Sequence, residues 1–461
     1  MKLFGSSGTR GVVGEGLTPE LVLQVAKAAG TVWEADQAII ARDTRTSSRS
    51  FVNAAVSGLT SVGVDVIRLG ITPTPSAVHY AGKTECPGIM ITASHNPPEY
   101  NGVKLISETG IEIGVEGLER IESCILNEDF TTVSWNNIGS VTRTETTNDE
   151  YIDELLTAVE EDGTHEMIAD ANLTVAIDPG HGAGCLTSPR FFRRLGCDVL
   201  TVNATPDGHF PGRPSEPIAS NLTALRSLVT TSDADIGIAH DGDADRAVFV
   251  DEQGEQIAGE ASFAALAAAE LNSTSAVVAA VNVSQRLVDV CNRVDATLEL
   301  TPIGSTNIIT KIQELQRTGV SVPVAGEGNG GIFFPTFRLV RDGAYIGAKF
   351  LRLVCDHTAS SLIEPYTEYT NVRINVEYDS EKELEALMSG AEEFAEGADV
   401  TPTTIDGYRL DYGDAWVLIR PSGTEPVVRV YAEAKKKTRA QSLADDAADR
   451  LSDALGNIDE R

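Results

Sequence analysis

One serine of this sequence occupies a position suited to covalent chemistry. Ser94 follows an apolar run, Gly88–Ile91, that reads as a short strand. The prolines after it and the Asn101–Gly102 pair restrict the chain to a tight turn. A serine held on such a turn is a candidate nucleophile or phosphate carrier, and His95 and Lys104 are near enough in sequence to assist proton transfer or neutralise charge. The alternative is a turn serine that bonds only its own backbone.

Three aspartates at alternate positions form a second candidate site. Asp241, Asp243 and Asp245 belong to the sequence HDGDADR, which follows an apolar run. Unpaired carboxylates at close range repel one another, and a hard divalent cation removes that repulsion. Oxygen-only ligands suit Mg²⁺, which binds a few carboxylates together with a phosphate oxygen. Arg246 ends the motif and could orient a carboxylate or a phosphate, whereas a solvated acidic turn is the alternative.

The segment Gly326–Gly331, with the sequence GEGNGG, follows another strand-like run. Glu327 and Asn329 offer acceptors and donors that suit sugar hydroxyls, and the glycines allow a ligand to approach the backbone closely. The N-terminal sequence FGSSGTRG is a further Gly/Ser loop that contributes the cation Arg10. Each of these loops alone also fits an ordinary turn.

A fourth loop, RPSGTEP, lies near the C-terminus. Arg420, the hydroxyls of Ser422 and Thr424, and the main-chain amides around Gly423 form a candidate phosphate site, with Arg429 nearby. A surface turn is the alternative. The sequence therefore offers four loops with separate chemical roles.

The elements that must position these loops alternate between strands and helices through most of the chain. This alternation predicts α/β units with mostly parallel sheets, in which loops at the carboxyl ends of strands carry the ligands. Polar stretches at about 130–149 and 251–260 are predicted linkers. After Tyr366 the pattern changes to alternating strands and a closing helix, which predicts a smaller α+β unit.

Composition limits the possible partners. The 461 residues include 36 basic and 68 acidic side chains, which gives a formal net charge of -32. This charge repels nucleic acid and anionic membranes, so neither is an expected partner, although a local arginine cluster can bind an anionic substrate. The dispersed acidic residues and the scarcity of lysine predict a halophilic source. Without an apolar span, a signal-peptide pattern or paired cysteines, the sequence predicts a cytoplasmic protein with reduced thiols.

Taken together and in order, the four loops resemble those of the α-D-phosphohexomutase superfamily. TASHNP around Ser94 and DGDADR are the most specific motifs, and the resemblance covers essentially the whole chain. It implies an α/β fold of four-domain phosphohexomutase architecture, with three α/β domains with mixed sheets and a smaller α+β C-terminal domain around a central cleft. The implied domains are 1–140 with the phosphoserine loop, 150–253 with the metal loop, 254–365 with the sugar-binding loop and 368–461 with the phosphate-binding loop.

The resemblance also implies a role for each motif residue. Ser94 is expected to be phosphorylated and to supply a phosphate oxygen to Mg²⁺, the expected cofactor. A phosphosugar is the expected substrate of a monomer or homodimer, with a sugar 1,6-bisphosphate as intermediate and activator. The other implied residues are catalytic (Arg10, His95, Lys104), metal-binding (Asp241, Asp243, Asp245) or substrate-binding (Arg246, Glu327, Asn329, Arg420, Ser422, Gly423, Thr424, Arg429).

The sugar loop departs from the commonest pattern of the superfamily. It has Asn-Gly-Gly after Glu327-Gly328, where many members have Ser-Gly-His, and this version resembles archaeal members assigned to phosphoglucosamine or phosphomannose mutation. The sequence TPIGSTNIITK also lacks the ionisable residues that several relatives have there, although Lys311 lies at its end. The departure affects sugar preference more than reaction type.

We therefore predict a Mg²⁺-dependent mutase that interconverts sugar 6-phosphates and 1-phosphates, with glucosamine phosphate ahead of mannose or glucose phosphate. A phosphosugar phosphatase and a phosphosugar-binding protein without turnover are the alternatives. A phosphatase does not need the additional phosphate loop RPSGTEP. A protein that only binds phosphosugars could lose both Ser94 and the three aspartates. The physiological sugar, the oligomeric state, the resting phosphorylation of Ser94, the motion of the C-terminal domain and the general acid and base are left open.

Overall fold

The computed structural model describes residues 3–5, 8–422 and 425–459, with side chains up to residue 456. The chain divides into two compact units. The first unit contains residues 1–262 and 329–363, and the second contains residues 263–328 and 364–461. No helix in these described ranges is both long and apolar enough to cross a membrane.

The first sheet has six strands in the order β1-β5-β4-β2-β3-β6. Strands β2, β3, β4 and β6 run parallel, while β1 and β5 pair antiparallel with each other and β5 pairs antiparallel with β4. Helices α1, α2 and α4 cover one face and α3 covers the other, so β4 is apolar along its whole length. Its elements are β1 (Thr9–Val12), α1 (Pro19–Trp33), β2 (Gln37–Arg42), α2 (Ser48–Ser61), β3 (Asp65–Ile71), α3 (Thr74–Thr84), β4 (Gly88–Ile91), β5 (Tyr100–Ile106), α4 (Val115–Leu126) and β6 (Val141–Arg143).

The second sheet has five strands in the order β11-β10-β9-β7-β8. Strands β7, β8 and β9 are parallel, and β10 and β11 extend the sheet antiparallel. The aspartate motif is the connection from β9 to β10. Its elements are α5 (Thr147–Glu161), α6 (Thr164–Ala171), β7 (Thr174–Asp178), α7 (Ser188–Arg194), β8 (Asp198–Thr201), α8 (Thr223–Ser232), β9 (Ile236–Ala239), β10 (Val248–Val250) and β11 (Gln256–Ile257).

The two stretches predicted as linkers each contribute a strand to a neighbouring sheet. Within 130–149, β6 pairs in parallel with β3 at the edge of the first sheet. Within 251–260, β11 forms a short hairpin with β10. The residues of β6 are exposed, and an exposed edge strand has the polar composition of a loop.

The third domain divides between the two units. In the second unit, β12, β13 and β14 form a parallel set, and in the first unit β15 and β16 form an antiparallel hairpin. Both patterns agree with the mixed sheets that the resemblance implies. The elements are α9 (Gly259–Glu270), β12 (Ser275–Ala280), α10 (Gln285–Val294), β13 (Thr297–Thr301), α11 (Ser305–Arg317), β14 (Ser321–Gly326), β15 (Ile332–Phe334), β16 (Arg338–Arg341), α12 (Gly343–Val354) and α13 (Ala359–Ile363).

The C-terminal domain is a four-stranded antiparallel sheet in the order β17-β20-β19-β18, with two helices packed on it. Its alternating sequence leaves every second residue of β17 exposed and packs Val372, Ile374 and Val376 against the core. The predicted smaller α+β unit is thereby confirmed. The elements are β17 (Thr370–Glu377), α14 (Glu381–Glu396), β18 (Tyr408–Asp411), β19 (Ala415–Pro421), β20 (Val427–Ala434) and α15 (Lys437–Asp459).

Candidate active site

Ser94 lies on a strained turn beyond the carboxyl end of β4. Its φ of 52° is in the left-handed region that non-glycine residues rarely adopt. The residue is fully buried, its N–H donates to Thr92 Oγ1 at 2.9 Å, and its Oγ donates to Asp241 Oδ2 at 2.6 Å. Ser94 thus forms hydrogen bonds to other residues and not only to its own backbone. A strained backbone conformation that the surrounding structure enforces is typical of functional positions.

The metal loop between β9 and β10 gathers Asp241, Asp243 and Asp245. One carboxylate oxygen from each lies within 4.8 Å of the others. All three residues are buried, and among the described residues the Oδ1 atom of each has no hydrogen-bond partner. Buried acceptors without donors are costly, and an oxygen-seeking divalent cation satisfies all three together. The residues therefore fit the Mg²⁺ that the spacing predicts.

The metal loop and the Ser94 turn are in direct contact. A Cβ atom on Gly242 would lie 2.6 Å from the Ser94 carbonyl oxygen, so glycine is required for this approach. Ala244, in the same loop, has a φ of 53°. The close approach is what brings Asp241 to the hydroxyl of Ser94.

The second oxygens of two aspartates are held by neighbouring side chains. Lys104 Nζ donates to Asp243 Oδ2 at 2.9 Å and to Asp245 Oδ2 at 3.2 Å. Thr74 Oγ1 donates to Asp243 Oδ2 at 2.6 Å, and Arg341 Nη2 donates to Asp245 Oδ2 at 2.6 Å. These bonds fix the carboxylates and leave their Oδ1 atoms for a cation.

Thr74 and Arg341 were not identified from the sequence. Thr74 is the first residue of α3, directly after β3, and Arg341 is the last residue of β16. The sequence gives only a weak indication of these two residues: each is polar and lies where a strand-like run ends and a helix follows. Only the tertiary structure shows that these positions meet the metal loop.

Sheet register explains how Lys104 and Arg10 reach the same region. Lys104 of β5 is opposite Met90 of β4, and Arg10 of β1 is opposite Gly102 of β5. Because residues two apart on a strand point to the same face, both cations lie on one side of the sheet. Arg10 Nη1 also donates to Asn96 Oδ1 at 3.2 Å, next to the Ser94 turn.

Burial and charge shift the aspartate pKa values in opposite directions. Burial, followed by the charges of Asp245 and Asp243, raises the pKa of Asp241 to about 7. Burial also acts to raise the pKa of Asp245, but the charges of Arg341 and Lys104 outweigh it and hold that pKa well below its ordinary value. For Lys104, burial acts to lower the pKa, but Asp243 and Asp245 raise it overall. Lys104 is therefore a fixed positive charge, whereas Asp241 can hold a proton that a cation would displace.

His95 lies beside the serine, with Nδ1 3.4 Å from Ser94 Oγ. The charge of Arg246, then burial, then the charge of Arg10 lower the pKa of His95 to about 2. The imidazole is therefore neutral at neutral pH. It contributes a hydrogen-bonding nitrogen next to Ser94 and no positive charge.

Arg246 ends the metal loop as the sequence indicates. Its Nε lies 3.9 Å from Asp241 Oδ2 and 3.9 Å from Asp245 Oδ1, and this buried nitrogen has no hydrogen-bond partner among the residues that the structure describes. His240 Nδ1 donates to the Arg246 carbonyl oxygen at 2.8 Å and fixes the end of the loop. A guanidinium in this position adds positive charge beside the aspartates and the serine.

The two predicted sugar-binding residues lie in different units of the structure. Glu327 is half-buried in the second unit, and Asn329 is exposed in the first. Asn329 Oδ1 accepts from Gly331 N at 3.0 Å, and the Gly330 carbonyl accepts from Ala247 N at 3.1 Å. The Asn329 part of the loop therefore rests on the end of the metal loop, and the sugar contacts of both residues stay predictions.

The phosphate loop is built around two facing arginines. Arg420 of β19 is directly opposite Arg429 of β20. Like charges opposite each other destabilise a sheet unless they are compensated. Arg420 Nε lies 3.1 Å from Asp406 Oδ2, and Arg429 forms an ion pair with Glu425. The positive pair forms a candidate anion site with its own counter-charges.

Ser422 shapes the turn between these two strands. Its N–H donates to the Val427 carbonyl at 2.8 Å, and its Oγ accepts from Glu425 N at 3.3 Å. The predicted residues Gly423 and Thr424 lie outside the described residues. The proposed phosphate contacts of this turn therefore stay predictions.

A buried serine beside three buried aspartates that could hold a cation, in a chain that also has a pair of facing arginines, fits a protein that transfers phosphoryl groups. Comparison with known proteins specifies the class. Models of the phosphoglucomutase/phosphomannomutase family match in four parts: alpha/beta/alpha domain I at residues 1–132, domain II at 149–254, domain III at 253–369 and the C-terminal domain at 374–450.

Individual relatives match over nearly their whole length. A phosphoglucomutase/phosphomannomutase of Thermococcus kodakarensis is 38% identical and is matched over 98% of this chain and 99% of its own. A phosphoglucosamine/phosphogalactosamine mutase of Sulfurisphaera tokodaii is 36% identical over 96% of this chain and 98% of its own. The crystal structure of a phosphoglucomutase/phosphomannomutase family protein of Burkholderia thailandensis has a TM-score of 0.81 and 26% identity, with 98% and 97% of the chains covered.

The chain belongs to the phosphoglucomutase/phosphomannomutase family, the α-D-phosphohexomutases. It is an enzyme of the phosphohexomutase class, an intramolecular phosphotransferase. The four-domain architecture implied by the sequence motifs is confirmed.

Proposed function

We propose that this enzyme interconverts glucosamine 6-phosphate and glucosamine 1-phosphate through a phosphorylated Ser94 and a sugar 1,6-bisphosphate. Mannose and glucose phosphates are the alternative substrates of the same reaction. The observation that carries the proposal is the hydroxyl of Ser94, 2.6 Å from Asp241 Oδ2, beside three aspartates whose buried Oδ1 atoms have no partner in the described part of the chain. A phosphate on that hydroxyl would lie next to a site for a cation, as phosphoryl transfer requires.

In the first step the phosphoryl group leaves Ser94 for a hydroxyl of the bound sugar monophosphate. The bond between phosphorus and Ser94 Oγ breaks, a bond from phosphorus to the sugar oxygen forms, the sugar hydroxyl loses its proton, and the serine oxygen gains one. His95 Nδ1, 3.4 Å from that oxygen, is placed to hydrogen-bond to it, whereas the lowered pKa of this imidazole keeps it from storing the proton. In the second step the bisphosphate returns its other phosphoryl group to Ser94, which leaves the isomerised monophosphate.

Asp241, Asp243 and Asp245 would hold Mg²⁺. When bound, the ion supplies positive charge that stabilises the transferring phosphoryl group. Lys104 and Arg341 keep two of the carboxylates fixed through their Oδ2 atoms. The aspartates therefore need no rearrangement when the ion binds, which is the electrostatic preorganisation that transfer depends on.

Arg420 and Arg429 would bind the phosphate that is not transferred. Two guanidinium groups recognise a phosphate by charge and hydrogen bonds and ignore the sugar to which it is attached. A bisphosphate can then bind through either of its ends. An enzyme needs a site that recognises phosphate and not the sugar if the same bisphosphate must react at both of its phosphate groups.

Glucosamine phosphate is placed first because of the sugar loop. The Asn-Gly-Gly version that follows Glu327 resembles archaeal phosphoglucosamine mutases, and the relative from Sulfurisphaera tokodaii carries that activity in its name. The carboxylate of Glu327 also suits a sugar that bears an amine. The name of the Thermococcus relative keeps mannose and glucose phosphates as the alternatives.

Phosphorus NMR tests the function directly. The protein is mixed in Mg²⁺ and high salt with glucosamine, mannose or glucose 1-phosphate and a trace of the matching bisphosphate. We expect the glucosamine 1-phosphate signal to convert to the 6-phosphate signal without free phosphate. Formation of inorganic phosphate alone would indicate a phosphatase, and unchanged spectra would favour a binding protein.

We also propose that the enzyme works in a high-salt cytoplasm. The formal charge of -32 makes the folded chain repel itself, and dissolved ions screen that repulsion. We expect the thermal unfolding temperature and the activity to fall when salt is removed. Full activity and an unchanged unfolding temperature in dilute buffer would contradict a halophilic origin.

A further inference from the structure

Arg45 is a fully buried arginine beside the Ser94 turn. It follows β2, and β2 is the parallel neighbour of β4 in the first sheet. The carboxyl ends of parallel strands meet at one edge, so the loops after these two strands are in contact. Arg45 takes part in none of the steps proposed above.

The guanidinium of Arg45 places its donors on the turn that carries the serine. An arginine side chain has five N–H donors in a rigid planar fork. Nε donates a hydrogen bond to Asp43, and the two terminal nitrogens donate to four main-chain carbonyl oxygens of the turn. These acceptors are Ser94 (2.9 Å), Asn96 (2.6 Å), Pro97 (2.5 Å) and Tyr100 (2.9 Å).

Asp43 holds this arginine in place. Its Oδ2 accepts from Arg45 Nε at 3.0 Å, and its Oδ1 accepts from Arg45 N at 3.0 Å and from Ser48 Oγ at 3.0 Å. Thr92 Oγ1 donates to Asp43 Oδ2 at 2.7 Å and accepts from the N–H of Ser94 at 2.9 Å. Arg45 therefore bonds directly to the carbonyl oxygen of Ser94, and Asp43 is linked to the Ser94 amide through Thr92.

Two features of the connection from β8 to α8 close the other side. A Cβ atom on Gly208 would lie 2.6 Å from the Arg45 Cα atom, and the Phe210 ring centroid is 5.2 Å from the guanidinium. Ser215 Oγ contacts the carbonyl oxygens of His95 at 2.8 Å and Asn96 at 2.7 Å. Arg45 and Ser215 thus both bind main-chain carbonyl oxygens of the turn.

We infer that Arg45 is the positioning residue that fixes the phosphate-carrying turn, so that Ser94 Oγ keeps one direction with and without phosphate. This inference rests on the proposed function. The left-handed φ of 52° at Ser94 is unfavourable for a serine and needs an external constraint, which the bonds to four carbonyl oxygens supply. Arg45 touches no reacting atom, and its effect passes through the backbone of the turn.

Lysine cannot replace this function. It keeps the positive charge, but its three donors come from a single atom and cannot reach four carbonyl oxygens and a carboxylate together. Arg45→Lys therefore separates charge from geometry. A loose turn would also admit water to the phosphoserine, and water attack at phosphorus breaks the bond to Ser94 Oγ, restores the hydroxyl and releases inorganic phosphate.

Arg286 provides a matched control. It is a buried arginine of the second unit that donates to Glu433 at 2.8 Å and to the main-chain carbonyls of Tyr366 and Tyr369. Arg286→Lys therefore repeats the chemistry of Arg45→Lys at a place outside the catalytic and binding residues. Thermal unfolding of both variants measures the loss that any buried arginine would cause.

The test measures kcat, KM and phosphate release per sugar isomerised, with glucosamine 1-phosphate and its bisphosphate in Mg²⁺. For Arg45→Lys we expect kcat to fall about 100-fold with KM within about threefold, because a misplaced reacting group loses rate more than affinity. Phosphate release per isomerisation should rise, and a phosphoenzyme labelled from radioactive bisphosphate should lose its label faster without sugar. Arg286→Lys should keep the wild-type kcat and the wild-type ratio of phosphate released to sugar isomerised.

Wild-type kcat and label lifetime in a folded Arg45→Lys protein would overturn the inference. Equal losses in both lysine variants, in proportion to their loss of stability, would also overturn it. If Arg45→Lys does not fold, Ser215→Ala carries the test, since removal of its bonds to the same turn should shorten the label lifetime. A wild-type protein that takes the label but isomerises no sugar refutes the proposed function, and the label lifetimes then still decide the role of Arg45.

Discussion

The proposed catalytic centre and the proposed phosphate loop would both bind phosphate, yet they are built differently. Around Ser94 the charged side chains are buried, and Lys104 and Arg341 hold the aspartates in fixed ion pairs. In the phosphate loop, Arg420 and Arg429 are half-buried and rely on ion pairs with acidic neighbours. The buried arrangement around Ser94 suits a reaction whose geometry must be constant. The half-buried arrangement of the phosphate loop suits a sugar bisphosphate that binds by one end, dissociates and binds again by the other.

The strongest test of this contrast removes the phosphate carrier. We expect Ser94→Ala to lower mutase turnover by at least about 10⁴-fold, because no other residue can store the phosphoryl group between the two steps. Phosphorus NMR and mass spectrometry of the labelled protein measure the effect. Ser262→Ala is the control, since Ser262 is also buried and its hydroxyl donates to the Gly259 carbonyl at 3.0 Å. Normal turnover of the Ser94 variant would refute the carrier role.

The second test weakens the cation site. Asp243→Asn removes one negative charge from the three carboxylates, and we expect the Mg²⁺ concentration for half-maximal activity to rise by more than about 100-fold. Activity measured across a Mg²⁺ titration gives this value. Recovery at high Mg²⁺ would separate lost metal affinity from lost structure, and an unchanged metal requirement would exclude Asp243 from the site.

The third test addresses the phosphate loop. Arg420→Ala removes one of the two facing guanidiniums, and we expect KM to rise by roughly 10- to 100-fold for glucosamine, mannose and glucose phosphates alike. Steady-state kinetics with all three sugars provides the measurement. Arg373→Ala, an exposed arginine on β17 of the same sheet, controls for the loss of positive charge. A loss confined to one sugar would contradict a site that recognises only phosphate.

The smallest effect is expected from pH. Burial and the neighbouring carboxylates raise the pKa of Asp241 to about 7, so the residue is protonated below that pH and ionised above it. A proton must leave before a cation binds, and Mg²⁺ affinity should therefore approach its full value only about one pH unit above that pKa and fall about fivefold from pH 7 to pH 6. Magnesium titrations at the two pH values measure this change. Equal affinities would show that Asp241 is ionised throughout.

Linkage gives the same shift a second consequence for the metal-free protein. Because the folded pKa of Asp241 lies above its ordinary value, its contribution to folding stability is fully present at acidic pH and is lost as pH rises toward 7. Bound Mg²⁺ favours the ionised carboxylate and should restore that loss. The thermal unfolding temperature at pH 8 should therefore respond more strongly to Mg²⁺ than that at pH 5.

Local sequence patterns identify most of the elements and the main motif residues. The apolar run before Ser94 correctly predicts a strand because β4 is buried on both faces. The alternation in β17 correctly predicts a strand because only one of its faces is buried. The exposed strand β6 is missed because pairing at a sheet edge leaves little trace in composition. The same limit hides Thr74 and Arg341, whose partners are more than 90 residues away in sequence.

The sequence by itself determined the reaction class, because the short motifs that contain Ser94, the three aspartates and the arginines of the phosphate loop resemble, together and in this order, those of the phosphohexomutases. The tertiary structure alone decided how the serine is held. Arg45 lies 49 residues before Ser94, and only the parallel pairing of β2 with β4 brings its donors to the turn. Carbonyl oxygens are common to every residue, so no sequence pattern shows which of them a buried arginine will bind.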